Sequence, residues 1–262
     1  MTRIISILNN KGGVGKTTST INLGVALAKQ NKKVLLVDLD AQANTTDLFI
    51  NKSQLQYTIR DLLINPSASI DTILIKNVYQ NIDLIPSNEL LNGIEQNLAN
   101  AISRETLLKR ILAPVKNNYD YILIDNPPTL NTLALISLTA SNEVIIPIQP
   151  KYDALKGAIA TIGTIKQVQT LLNENLKLSG VFITIYDIRN NNDREIVETI
   201  KTQFKDLCYK TMIRTSVKVD EAKGYHKSII DYDINGNASQ DYTDLAKEII
   251  NQEGNIGGVI NG

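Results

Sequence analysis

Val34-Leu-Leu-Val37, Ile122-Leu-Ile124 and Val144-Ile-Ile146 are apolar at every position. Side chains alternate across a strand, so a strand with one wet face would alternate apolar with polar residues. Unbroken apolar runs of this length read as strands buried on both faces, which implies a mostly parallel sheet covered by helices. Such runs predict strands over 3–8, 33–38, 81–86, 120–125, 143–148, 179–186 and 208–213. Longer amphipathic stretches between them predict helices over 16–30, 103–116, 131–140, 154–172, 193–206 and 239–251. The expected architecture is α/β: a doubly wound, mostly parallel sheet with helices on both faces. Residues 44–80 and 86–102 carry mixed periodicity, although Leu90, Leu91, Ile94, Leu98 and Ile102 fall at helical spacing and predict a helix packed on the core.

A chain of 262 residues with 43% hydrophobic content has enough apolar surface for one good-sized core. A single domain is expected over 1–251, with a Gly- and Asn-rich tail, 252–262, expected to fray. Basic and acidic residues balance at 27 each, so any nucleic-acid contact must come from a local patch and not from a global positive field. Cys208 is the only cysteine, which excludes an internal disulfide and a Cys-rich metal site. No run approaches the ~18 apolar residues of a membrane span, and no signal-peptide pattern opens the chain. A cytoplasmic protein is expected.

The segment Asn9-Asn-Lys-Gly-Gly-Val-Gly-Lys-Thr-Thr18 lies between an apolar strand and a helical pattern with Ile21, Val25 and Ala28 on one face. Strand, glycine-rich loop and helix in that order form the context a phosphate-binding loop requires. Gly12, Gly13 and Gly15 let backbone N–H groups turn inward around phosphate oxygens, and the helix adds its positive end. Lys16 would reach the β- and γ-phosphates, and the Thr17 hydroxyl would ligate Mg²⁺. Position 10, where GxxxxGK[ST] has glycine, holds Asn10, and a second lysine, Lys11, follows. Within one subunit Lys11 is either a solvated lysine at the loop mouth or a second phosphate cation. A cation about 4 Å from a phosphate charge contributes ~4 kcal/mol at an effective dielectric of ~20, provided something holds it there.

"KGGVGKTT" resembles the deviant Walker A motif of the ParA/MinD ATPases, and the resemblance runs through nearly the whole chain. It implies ATP and Mg²⁺ as ligands, with contacts along the loop from Lys11 through Val14 to Thr18. It also implies that Lys11 crosses an ATP-sandwiched homodimer and touches the partner subunit's phosphates, as an arginine finger would. "VDLDAQANTT", 37–46, is similar to the family's DxDPQxN motif, with Ala41 where proline is common. On that match Asp40 positions the attacking water and Asp38 helps hold the magnesium hydration shell. "YDYILIDNPPTL", 119–130, resembles a Walker B motif, in which Asp125 accepts hydrogen bonds from magnesium-bound water. Here Asn126 stands where the family often has Cys or Thr.

The same likeness is closest to the short ParA/Soj type and implies non-specific DNA binding, a ParB-like adaptor and association with the nucleoid. Arg189 and Lys218 match the family's DNA-contacting positions, and Lys223 and Lys227 could extend the patch. Asn235 and Asn237 replace an arginine-rich turn, while Asp231, Asp233 and Asp241 oppose the patch. Ile213-Arg-Thr-Ser216 replaces a common Pro-Arg-Asn pattern on the adenine side. The tail "EGNIGGVING" has none of the basic amphipathic character of a membrane-targeting helix, so no membrane partner is expected. His226 reads as a surface residue in a polar loop, and the tyrosines form no evident stacking platform. The rival functions are a positioner of protein cargo and a nucleotide switch or scaffold without hydrolysis.

Overall fold

The computed structural model describes residues 1–252; from residue 253 on, the tail expected to fray lies outside the described residues. Eight strands form one sheet: β1 (Arg3–Ile7), β2 (Val34–Asp38), β3 (Ile75–Tyr79), β4 (Ile82–Ile85), β5 (Tyr121–Asp125), β6 (Glu143–Ile148), β7 (Lys177–Tyr186) and β8 (Cys208–Arg214). Their order across the sheet is β3-β4-β2-β5-β1-β6-β7-β8, and every neighbouring pair is parallel except β3 with β4. The apolar runs behave as their pattern requires. Val34 and Leu36 enter one core while Leu35 and Val37 enter the core on the opposite face.

The first face is covered by α1 (Lys16–Lys29), α10 (Ile229–Tyr232) and α11 (Asn237–Asn251), whose Leu23, Leu27, Ile229, Leu245 and Ile249 pack on Ile5, Leu36 and Leu123. On the other face lie α3 (Ile59–Ile64), α4 (Ile94–Leu98), α5 (Leu107–Leu112) and α6 (Thr132–Ala140), followed by α7 (Tyr152–Leu171) and α8 (Asn191–Phe204). Two short helices, α2 (Asn44–Phe49) and α9 (Lys218–Gly224), follow strands β2 and β8 at their C-terminal ends. At the opposite edge the buried Arg3 guanidinium makes paired bonds of 2.6 and 2.7 Å to Glu143 and donates to the Ile249 carbonyl at 2.6 Å, joining β1, β6 and α11.

Several expected elements changed. The single helix over 103–116 is a 3-10 turn, Arg104–Thr106, leading into the six-residue α5. Pro114 cannot donate to a helical ladder, and Ser103 adopts a left-handed φ of 53°. The expected helix through 90–102 is cut by Gly93 at φ 73°, which leaves α4 with Ile94 and Leu98 buried while Leu90 and Ile102 face solvent. Edge strand β3 was not expected: "IKNVY" has polar residues where its face is exposed, and its pairing with β4 shifts register. Helices α2, α3, α9 and α10 are too short to show periodicity.

Helix α1 approaches β2 at Gly24, where an added Cβ would lie 2.9 Å from Leu36 Cδ2. The fully buried Leu36 therefore fixes the height of α1 over the sheet. Leu36→Ala should destabilise the protein by about 2–5 kcal/mol in urea unfolding, as a buried large-to-small change does. A loss below about 1 kcal/mol would mean that this contact is not close-packed.

Candidate nucleotide site

Strand β1 runs up the middle of the sheet and ends at a loop, 8–15, that delivers the chain to α1. Gly13 and Gly15 have φ of 76° and 82°, which side-chain-bearing residues rarely adopt. Gly15 is the N-cap of α1, and no side chain caps that end. The first N–H groups of the helix thus lack an intrahelical or capping acceptor and suit an anion. Thr184 on β7 donates to the Val14 carbonyl at 2.9 Å and braces the loop from the side. Lys16 is 7% exposed and its ammonium donates to the Lys11 carbonyl at 3.0 Å. Burial lowers its pKa, against the opposing pull of Asp125 and Asp40.

Asp38 and Asp125 end the paired strands β2 and β5 side by side, both fully buried. Asp38 accepts from the Thr46 amide at 2.9 Å, the Thr46 hydroxyl at 2.7 Å and the Asp40 amide at 3.1 Å. Asp125 accepts from the Thr45 hydroxyl at 2.7 Å and the Thr20 hydroxyl at 3.5 Å, and it also interacts with Thr17. Burial pushes both carboxyl pKa values above the usual carboxylate range, and Asp125 adds repulsion to Asp38. Asp40 is half-exposed and accepts from the Gln42 amide at 3.0 Å. Asn126 is fully buried; it donates to the Ile7 and Ile124 carbonyls, while its Oδ1 finds no partner among the described residues.

Gly12, Gly13 and Gly15 through Thr18 line a cleft of about 470 Å³ together with Asp40 and Asn44. Its far wall is Thr184, Ile185, the 213–216 stretch, Val219, Lys223 and Tyr242. Arg214 in that wall is clamped by Asp241 through bonds of 2.6 and 2.9 Å. The structure brings Lys16, Thr17, Thr18 and Asp40 to one cleft, with Asp38 and Asp125 buried at the strand ends beneath it. Lys11 is exposed and is not among the residues that line the cleft; its ammonium lies 3.9 Å from Asp153. Hydroxyl and carboxylate oxygens are the donors Mg²⁺ prefers. Among the described residues no three acidic, His or Cys side chains close on one point.

The four basic residues singled out for DNA are distributed differently. Arg189 follows β7 and Lys218 opens α9 after β8, so both lie at the same sheet edge on adjacent strands. Arg189 makes two 2.9 Å bonds to Asp187, whose carboxyl it holds well below the usual carboxylate range. Lys218 pairs with Asp233 at 3.0 Å. Lys223 pairs with Asp220 at 3.4 Å and lines the cleft itself, whereas Lys227 is exposed. His226 is exposed as expected, with Nδ1 2.8 Å from the Asp47 carbonyl oxygen. Tyr225 and Tyr232 do stack, at 5.5 Å, beside this patch. Thr45, Thr46 and Thr184 were not foreseen as parts of the site; the first two lie in the first turn of α2 and the third two residues before the end of β7, and no local pattern marks them.

An open parallel sheet with an uncapped helix and paired carboxylates at its C-terminal edge defines a P-loop nucleotide-binding protein. A family model described as an AAA domain matches residues 2–178. The chain is 45% identical to the sporulation initiation inhibitor protein Soj of Bacillus subtilis, over 95% of this chain and 98% of that protein. It is 41% identical to the chromosome-partitioning ATPase Soj of Treponema pallidum, over 97% of this chain and 99% of that protein. Among solved structures, a cobyrinic acid a,c-diamide synthase from Mycobacterium smegmatis with bound ADP and magnesium superposes with a TM-score of 0.85 at 29% identity, over 100% of both chains. The chain belongs to the ParA/Soj family of partition ATPases, and its loop and oxygen donors fit ATP with Mg²⁺.

Two buried carboxylates side by side are a cost to the metal-free fold. A carboxyl whose folded pKa is raised loses stability as pH climbs from the ordinary carboxylate value through the raised one. Asp125→Asn in EDTA should therefore raise Tm by about 2–4 °C, more at about pH 8 than at about pH 5. A lower Tm at both pH values would contradict this.

Proposed function

We propose that this chain is a Mg²⁺-dependent ATP hydrolase that closes into a homodimer on ATP, with Lys11 serving the partner subunit's nucleotide. The dimer would bind DNA without sequence preference, associate with the nucleoid and act with a ParB-like adaptor in plasmid or chromosome partition. The observation that carries the reading is the division between the two lysines. Lys16 is buried within the cleft of its own subunit, whereas Lys11 is exposed beside the cleft-lining Gly12, with its ammonium in a long, solvated pair with Asp153. Exposed pairs of this kind contribute about 0–1 kcal/mol and exchange readily for a better anion.

In this reading the amides around Gly12, Gly13, Val14, Gly15 and Thr18 hold the phosphates, and Lys16 reaches the β- and γ-phosphates. The Thr17 hydroxyl, with water held by Asp38 and Asp125, would carry Mg²⁺, which neutralises developing phosphoryl charge when bound. Asp40 orients the attacking water. Because hydrolysis needs those carboxylates, their presence favours an enzyme over a passive switch. Among the described residues no helix is long and apolar enough to cross a membrane.

Lys16→Ala should abolish nucleotide binding. Lys11→Ala should keep ATP binding and lose the ATP-dependent dimer in sedimentation velocity; a persistent dimer would overturn the cross-subunit role.

DNA binding draws support from Arg189 and Lys218 on adjacent loops at the same edge, although each must first leave a carboxylate. Retention on DNA should fall with salt with a log–log slope near −0.9 per phosphate contact, and Arg189→Glu should weaken retention while sparing ATPase activity. Unchanged retention of Arg189→Glu at low salt would count against the patch and favour a positioner of protein cargo.

A further inference from the structure

Lys11 needs a rigid mount if its charge is to act at a distance from its own backbone, and one helix supplies it. On α7, Ala154, Gly157 and Thr161 are spaced three and four residues apart and so share one face. That face meets the Asn9–Lys11 turn directly. A Cβ added to Gly157 would lie 2.7 Å from Asn9 Oδ1, 3.1 Å from Lys11 Cβ and 3.3 Å from the Lys11 amide nitrogen. One turn further on, the buried Thr161 hydroxyl accepts from the Asn10 amide at 3.1 Å and donates to the Gly157 carbonyl at 2.8 Å.

Asn9 cannot yield to an added methyl group. It is fully buried, its Oδ1 accepts from the Lys11 amide at 3.0 Å, and its Nδ2 donates to the Pro147 carbonyl at 2.8 Å. Two of the three contacts a methyl would make are with Lys11 itself, one of them with its backbone. Lys11, and neither Asn9 nor the helix, is the part left to shift, because Ala154, Ala158 and Ile165 anchor α7 in the core beneath it.

We propose that Gly157 and Thr161 are positioning residues for Lys11: bare backbone at 157 and a hydroxyl at 161 let α7 set the height and direction from which the lysine leaves the loop. The catalytic consequence rests on the cross-subunit reading of Lys11, while the packing itself does not. Thr161→Val keeps the shape of the side chain and removes the acceptor for the Asn10 amide, whereas Thr161→Ser keeps the acceptor. Gly157→Ala adds the methyl group.

Amide hydrogen exchange in nucleotide-free protein reads the packing alone. Thr161→Val should speed exchange at Asn10 by about tenfold or more, and Thr161→Ser should not. The second measurement sets ADP affinity beside ATP turnover. Gly157→Ala and Thr161→Val should hold ADP affinity within about threefold while turnover falls at least about tenfold, with Thr161→Ser restoring it. In a Lys11→Ala background neither change should lower turnover further, because both act through that lysine. Wild-type exchange at Asn10 in Thr161→Val would overturn the packing claim. Parallel losses of ADP affinity and turnover, or full additivity with Lys11→Ala, would overturn the positioning role. Wild-type turnover in Lys11→Ala alone would instead contradict the cross-subunit function on which the catalytic consequence depends.

Discussion

An unmet demand for negative charge organises one edge of this molecule. Helix α1 begins at a glycine in left-handed conformation, no side chain caps its first turn, and a buried ammonium lies beside it. Exposed N–H groups at a helix terminus and a desolvated lysine are each costly without a partner, and a polyphosphate satisfies both together. The surrounding structure keeps protein groups from collapsing into that space. Strand β1 is paired on both sides, Thr184 pins the loop from β7, and Gly24 lets α1 settle close onto β2.

The carboxylates follow from the same sheet. Because β1, β2 and β5 are adjacent and parallel, their C-terminal ends rise to one level, and residues that terminate them converge without special loops. The threonines of α2 then turn Asp38 and Asp125 into hydrogen-bonded acceptors and not bare charges. The two groups still repel each other inside the protein, which is the condition a divalent cation relieves. Acidic partners recur across the basic edge as well, where Asp187, Asp233 and Asp220 occupy Arg189, Lys218 and Lys223. Any polyanion docking there competes with built-in carboxylates.

Much of this was legible in sequence because it is local. Apolar runs on β2, β5 and β6 declared a sheet buried on both faces, and the glycine spacing declared a loop before a helix. What escaped was set by distance. Edge strand β3 has no buried face to write into its residues, and the helices expected over 90–102 and 103–116 were interrupted by Gly93, Ser103 and Pro114, whose backbone demands outweigh periodicity. Nothing in "YDALKGA" says that Gly157 touches Asn9, about 150 positions earlier, since that contact exists only after β6 pairs with β1. Thr45, Thr46 and Thr184 were visible as residues, but their partners were not.

The central claim is that each site takes Lys16 from its own subunit and Lys11 from the other. Mixing Lys11→Ala protein with Lys16→Ala protein tests it in one assay of ATP hydrolysis. In the mixed dimer the Lys11→Ala subunit keeps its own Lys16 and receives an intact Lys11, so one site is complete. The mixture should therefore turn over ATP faster than the residual rate of Lys11→Ala or Lys16→Ala protein alone. Mixtures no faster than either protein alone would contradict the account.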